Sequence, residues 1–273
     1  MRQNYTWEVE RIMINVSSMI FDSHAHYDDG AYAFDRDALI ASLPLKGVEY
    51  VVNVGSSIRS LSWVMNMVNK HKLVYGAIGI HPDDSMDLND EIFERMTCLC
   101  DHEKIVAVGE IGLDYYWDAT PHEVQKYWFK KQIELAKEKK LPIVVHSREA
   151  TADTFDVLKE MHAEEVGGVI HCFSSSVEMA KRYVDLGYYI GVGGVVTFKN
   201  GKKLKEVVEA IPLESILLET DCPYLAPTPF RGKRNDSSLI KYIAEEVAKI
   251  KGVTVEEVLR VTNGNAKRMY GIR

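Results

Sequence analysis

Two histidines two positions apart follow a short apolar run in Phe21-Asp22-Ser23-His24-Ala25-His26. In a strand, residues i and i+2 point to the same side, so His24 and His26 at a strand's C-terminal end can grip one metal ion together. Alone, such a pair is as readily two solvated loop histidines. More donors follow the same pattern: Glu110, His146, His171 and Asp221 each sit at or near the end of a short apolar run, and His81 lies just past another in Gly79-Ile80-His81-Pro82. Singly, each has a structural reading, a satisfied polar core histidine or an aspartate capping a helix. Jointly, four imidazoles (His24, His26, His146, His171) and two carboxylates (Glu110, Asp221) are the ligand inventory of a two-metal hydrolase.

Charge and geometry suggest the roles. His24, His26 and Asp221 would hold one divalent ion and His146 with His171 the other, while the Glu110 carboxylate, having two oxygens, would bridge ions about 3.5–4 Å apart. Water on the ions would have its pKa lowered toward neutrality, and Asp221 would orient that water and take its proton as general base. Asp221 and Glu110 are thus the expected catalytic carboxylates. Imidazole ligands favour Zn or Mn over Mg, with the choice among the three left open.

Eight β-rich runs alternate with amphipathic segments, at residues 19–24, 50–54, 74–80, 105–110, 142–146, 168–172, 188–192 and 216–221. Continuous apolar strands are buried on both faces, and this alternation predicts an α/β fold, a closed (β/α)8 TIM barrel, with an open doubly wound sheet as the competing arrangement. In such barrels the chemistry sits where strands end and βα loops begin, which is where the candidate ligands fall. Thr120-Pro121-His122-Glu123 reads as a capping box with Pro at the first helical position, ahead of Phe129, Ile133 and Ala136 at helical spacing. Leu239, Ile243, Val247 and Ile250 form another stripe, and Thr254 to Glu257 reads as a second capping box. No linker divides the 273 residues, so one barrel domain is expected over residues 19–273, with residues 1–18 an N-terminal extension whose role stays open.

The formal net charge is −7, with basic clusters only at Lys202-Lys203-Lys205 and Arg231-Gly232-Lys233-Arg234, which excludes a generic polyanion-binding face. Four cysteines are too few for a disulfide framework, and Cys172 and Cys222, each following a candidate ligand, read as small packed residues. No signal-peptide core and no apolar run of roughly 18 residues occurs, so a cytoplasmic protein without membrane contact is expected. A monomer is the default.

The stretches quoted above, together with Gly109-Glu110-Ile111-Gly112-Leu113-Asp114-Tyr115, His146-Ser147-Arg148, His171-Cys172-Phe173-Ser174, the run Glu219 to Pro227 and Asn265-Ala266-Lys267-Arg268, resemble the TatD family of metal-dependent hydrolases. The resemblance spans nearly the whole chain after Met19. It implies a barrel of the amidohydrolase-like superfamily with a divalent-metal centre, DNase activity (often a 3′→5′ exonuclease), and metal-ligand roles for His24, His26, Glu110, His146, His171 and Asp221. Two departures lie away from these ligands. Ser174-Ser175-Ser176 stands where the family often has Gly, and Asp236-Ser237-Ser238 where it often has Pro.

Substrate contacts are expected from Arg148, which could pair with a phosphate; from His81, toward the leaving group or behind the ligands; from Tyr115, lining the pocket or stacking a base; and from Arg231, with Lys233 and Arg234, as a local phosphate patch. Glu219 shares the strand face of Asp221 two residues deeper and reads as a carboxylate supporting the ligands. The leading expectation is a metal-dependent phosphodiesterase that takes DNA at single-stranded ends, with RNA a further candidate substrate. The alternative is hydrolysis of an ester or amide, such as removal of a D-aminoacyl group from tRNA, because the same activated water can attack a carbonyl carbon. A non-catalytic scaffold would need no such polar cluster.

Overall fold

The eight apolar runs form one sheet of eight parallel strands paired in chain order: β1 (Ile20–Ala25), β2 (Val48–Val54), β3 (Val74–Ile78), β4 (Ile105–Asp114), β5 (Ile143–Arg148), β6 (Gly168–Ile170), β7 (Tyr189–Val192) and β8 (Ile216–Leu218). The structure, a computed structural model, describes residues 20–117 and 119–273; the expected extension and Met19 lie outside them. The sheet closes on itself where an isolated parallel bridge joins Ala25 to Cys222, with the His26 amide donating to the Cys222 carbonyl at 2.8 Å and the Asp221 amide to the His24 carbonyl at 3.0 Å. This is the (β/α)8 barrel, and the open sheet is excluded by that seam.

Helices cover the outside: α1 (Arg36–Ser42), α2 (Ile58–Lys70), α3 (Asp90–Leu99), α4 (His122–Lys139), α5 (Thr151–Glu160), α6 (Val177–Asp185), α7 (Lys202–Ala210), α8 (Ile240–Lys251) and α9 (Val255–Tyr270). Outward strand residues such as Val51, Ile78, Val108, Val145, Ile170 and Ile190 pack beneath them, against Val64, Phe129, Ile133, Ile243 and Val247. The capping signals fare unequally. Thr254 caps α9 by accepting the Glu257 amide at 3.1 Å, but the Glu257 carboxylate turns to Arg260, so only half of that box forms. The expected box at α4 is absent: Pro121 stands at the cap, and the Thr120 hydroxyl donates instead to the Asp83 carbonyl, tying two loops at the barrel mouth.

Inside the barrel, the inward rows begin apolar and end polar. Val144 precedes His146, Val169 precedes His171, and Leu217 precedes Glu219 and Asp221, each by steps of two. Two rows break the step. Phe21 leads to His24 and Ala107 to Glu110, and in both the strand register shifts in between, from Asp22 to Ala25 and from Gly109 to Ile111. Such irregularities re-aim a side chain, and here they turn His24 and Glu110 inward. At the base, Tyr270 from α9 stacks on Phe21 with centroids 6.0 Å apart and donates its hydroxyl to the Ser23 carbonyl. Among the described residues, no helix is long and apolar enough to cross a membrane.

Candidate metal centre

Glu110 occupies the middle of the mouth. Its Oε2 lies 3.4 Å from His24 Nε2 and 3.6 Å from His26 Nε2, and its Oε1 lies 2.8 Å from both His146 Nδ1 and His171 Nε2. Asp221 Oδ1 faces the first pair, 3.4 Å from His26 Nε2 and 3.7 Å from His24 Nε2. His24 Nε2 and His26 Nε2 approach to 3.0 Å, while His26 Nδ1 meets the Val54 carbonyl at 3.0 Å and so leaves Nε2 as its free nitrogen. All six expected ligands are therefore brought together. His24, His26 and Asp221 form one group whose donor atoms lie within 4.8 Å of one another, and Glu110, His146 and His171 form a second.

The electrostatics follow from packing ionisable groups out of water. Burial raises the Glu110 carboxyl, but His171, His146 and His24 together outweigh it and hold the group well below the ordinary carboxylate range. Burial likewise lowers His26, yet Asp221 and Glu110 reverse this and lift it to about 9. His146 and His171 are also raised despite burial, by Asp114 with Glu110 and by Glu110 with Glu219. His24 alone among the four is lowered, by burial and the neighbouring His171. Protons thus sit between imidazoles and carboxylates at the places a divalent cation would take. Mixed nitrogen and oxygen donors gathered this closely suit such an ion, so the residues present fit the group.

A supporting layer was only partly legible. Asp114 accepts the Nε2–H of His146 at 2.9 Å, and its Oδ1 accepts the amides of Tyr116 at 2.8 Å and Trp117 at 3.1 Å. It was missed because β4 was expected to stop at Glu110, whereas the strand continues to Asp114; steps of two from Glu110 through Gly112 would have found it. Gly112 is required there, with φ +145 and the His146 carbonyl 2.0 Å from where a Cβ would stand. Glu219 is the expected buried support, its Oε1 3.7 Å from His171 Nδ1 and accepting the Cys172 amide, with Gly191 leaving room for it. Asp22 accepts hydrogen bonds from the His24 amide, from the Thr220 amide and hydroxyl and from the Ser237 hydroxyl; burial lifts its carboxyl to about 7 against those bonds. Ser237 thus gives the departure at that stretch a structural use.

The expected substrate contacts divide. Arg148 and His81 line the mouth cavity, a space of about 760 Å³. His81 accepts the Asp83 amide on Nδ1 at 3.2 Å, and burial with His146 nearby lowers it to about 3, so it is neutral with its proton on Nε2. Tyr115 does not line the pocket: its ring stacks on His122 at 3.6 Å and its hydroxyl donates to Asp153. Trp117 faces the cavity instead. Arg231 is exposed with its guanidinium over Phe198, Lys233 is exposed, and Arg234 is engaged by both oxygens of Asp35, which removes it from a phosphate patch. Cys222 is buried as expected, but Cys172 lines the cavity, because β6 ends at Ile170 and strand alternation no longer governs it.

A parallel eight-stranded barrel whose C-terminal mouth gathers histidines and carboxylates defines the class of protein. The model of the family described as TatD related DNase matches residues 21–271, and the chain belongs to this family. Its curated relatives are named as uncharacterized metal-dependent hydrolases. YabD of Bacillus subtilis is 46% identical over 254 residues, covering 93% of this chain and 100% of that protein. YcfH of Escherichia coli K12 is 36% identical over 256 residues, covering 93% and 96%. The crystal structure of YjjV, a TatD homolog from Escherichia coli K12, superposes with a TM-score of 0.88 at 29% identity, over 94% of this chain and 99% of that one. The chain is thus an enzyme of a family of metal-dependent hydrolases.

Proposed function

We propose that this protein is a two-metal phosphodiesterase that hydrolyses DNA from a single-stranded end in the 3′→5′ direction. The observation that carries the reading is the division of Glu110 between two donor groups, one carboxylate oxygen toward each. His24, His26 and Asp221 would hold one divalent ion and His146 with His171 the second, Glu110 serving both, with Zn, Mn or Mg as the metal. When bound, such ions supply positive charge that acidifies water and offsets charge growing on phosphoryl oxygens. The chain's own groups do the rest. Burial raises the Asp221 carboxyl, but His26, His171 and His24 hold it below the ordinary range, so it is an ionised acceptor for the proton of the attacking water. Neutral His81 presents its Nε2–H to the cavity as a hydrogen-bond donor for the departing oxygen. Arg148 offers its fork to a phosphate.

The reading includes a monomer in a reducing, cytoplasmic setting, in keeping with four free cysteines. A second reading is favoured by Asp28, Asp29, Asp83 and Asp84, which line the same cavity and would suit an ammonium group: hydrolysis of an ester or amide, as in a D-aminoacyl-tRNA. Chelated protein refilled separately with Mg, Mn or Zn and given 3′-labelled and 5′-labelled single-stranded DNA tests the choice. Metal-dependent shortening from the 3′ end is expected, lost in Asp221→Asn. Metal uptake with no cleavage of DNA would sink the phosphodiester reading in favour of the acyl one.

A further inference from the structure

The loop after β4 carries two large rings into solvent. Tyr116 is 50% and Trp117 62% exposed, set edge to face with centroids 5.0 Å apart. Over them lies the Arg148 guanidinium, 3.9 Å from the Tyr116 centroid and 5.4 Å from that of Trp117. Among the described residues Arg148 has no carboxylate partner and no side-chain hydrogen bond, so ring contact alone holds its donors at the cavity. The loop is anchored. Asp114 grips the amides of Tyr116 and Trp117 with one oxygen and the His146 ring with the other, fixing the rings in register with a candidate ligand. Trp117, Arg148, His146 and Glu110 line one cavity.

We propose that Trp117 and Arg148 form the seat of one unpaired nucleotide, the indole stacking on its base and the guanidinium taking its phosphate. The choice of ligand rests on the phosphodiesterase reading. A flat, exposed indole beside a cation with no carboxylate partner among the described residues is the pairing by which single strands are held, and stacking accepts any base because every base has a π-face. Bases within a duplex have both faces covered, so this seat selects strand ends that have come apart. The Tyr116 ring supports the Arg148 guanidinium, which makes Tyr116 a positioning residue.

The test uses metal-loaded protein and a single-stranded oligonucleotide with 2-aminopurine as its terminal base and an uncleavable terminal linkage. Binding should quench the fluorophore, as stacking does. Trp117→Ala should abolish the quench and weaken binding about tenfold, while Trp117→Phe retains both. An oligonucleotide with an abasic end should bind the native protein and Trp117→Ala alike, and circular dichroism checks that the variants fold. Arg148→Gln should weaken binding and flatten its salt dependence. A quench that survives Trp117→Ala, or equal affinity of the native protein for base-bearing and abasic ends, overturns the seat. If the quench behaves as expected but no metal supports cleavage of ordinary DNA, the seat stands and the phosphodiesterase reading falls.

Discussion

At the base of the barrel, Phe21 and Tyr270 stack almost parallel, 9° apart, and the Tyr270 hydroxyl finds the Ser23 carbonyl; at the mouth, His24 Nδ1, His171 Nδ1 and Glu219 Oε2 are buried without partners. The same inward rows supply both ends, since Val169 and His171, or Leu217 and Glu219, are two residues apart. What differs is what each end is for. Apolar burial at the base stabilises the fold whatever is bound. The mouth keeps buried polar atoms that packing alone would disfavour.

The contrast can be broken by single substitutions at either end. Asp221→Asn should lower turnover about a thousandfold and lower the melting temperature only slightly, because His26, His171 and His24 lose the carboxylate they hold ionised. Full activity in that variant would remove Asp221 from the chemistry. Tyr270→Ala should do the reverse, lowering stability by about 4 kcal/mol in denaturant titration with the metal content of the folded protein unchanged. If it strips metal from folded protein, the two ends are not separable.

Asp114→Asn sharpens the picture at the mouth. His146 would lose the acceptor that fixes its ring, and metal affinity should drop about tenfold to a hundredfold, read by competition with a chelating indicator, with stability moving much less. Unchanged affinity would make Asp114 a loop anchor only. Metal affinity should also depend on pH. His26, lifted to about 9, and His146 and His171, also raised, carry protons that a metal must displace, so affinity should climb by about tenfold per pH unit for each proton released, with the His26 share levelling off near pH 9. In metal-free protein the sign is opposite: the His26 proton stabilises the fold below the ordinary imidazole range, and that stabilisation is lost as pH rises through about 9. Affinity flat between pH 6 and 9 would mean that the imidazoles are not the ligands.

The barrel and its inward histidines were legible because two local rules coincide, apolar runs for strands and a step of two for side-chain direction. His146, His171 and Asp221 follow both, so their placement could be read without the structure. Asp114 follows the step of two but not the apolar run, because the stretch Glu110 to Asp114 contains Gly112 and two carboxylates and reads as loop, although it completes β4. Tyr115 and Trp117 were confused for a similar reason: once the strand ends, direction depends on the amides that Asp114 holds, and neighbouring aromatics part company. Arg234 was lost to Asp35, 199 positions away, and the Asp22 network reaches Ser237, 215 positions away. Pairings at such separations carry no local signal.

The seam of the barrel has a consequence in time. His24 and His26 leave the ribosome early and Asp221 nearly 200 residues later, yet the three stand in one group, and the backbone bonds that bring them together are those that shut the ring. A nascent chain holding only the first seven strands therefore has neither Asp221 nor a closed mouth, and the donor group that begins with His24 and His26 is completed only when the ring shuts.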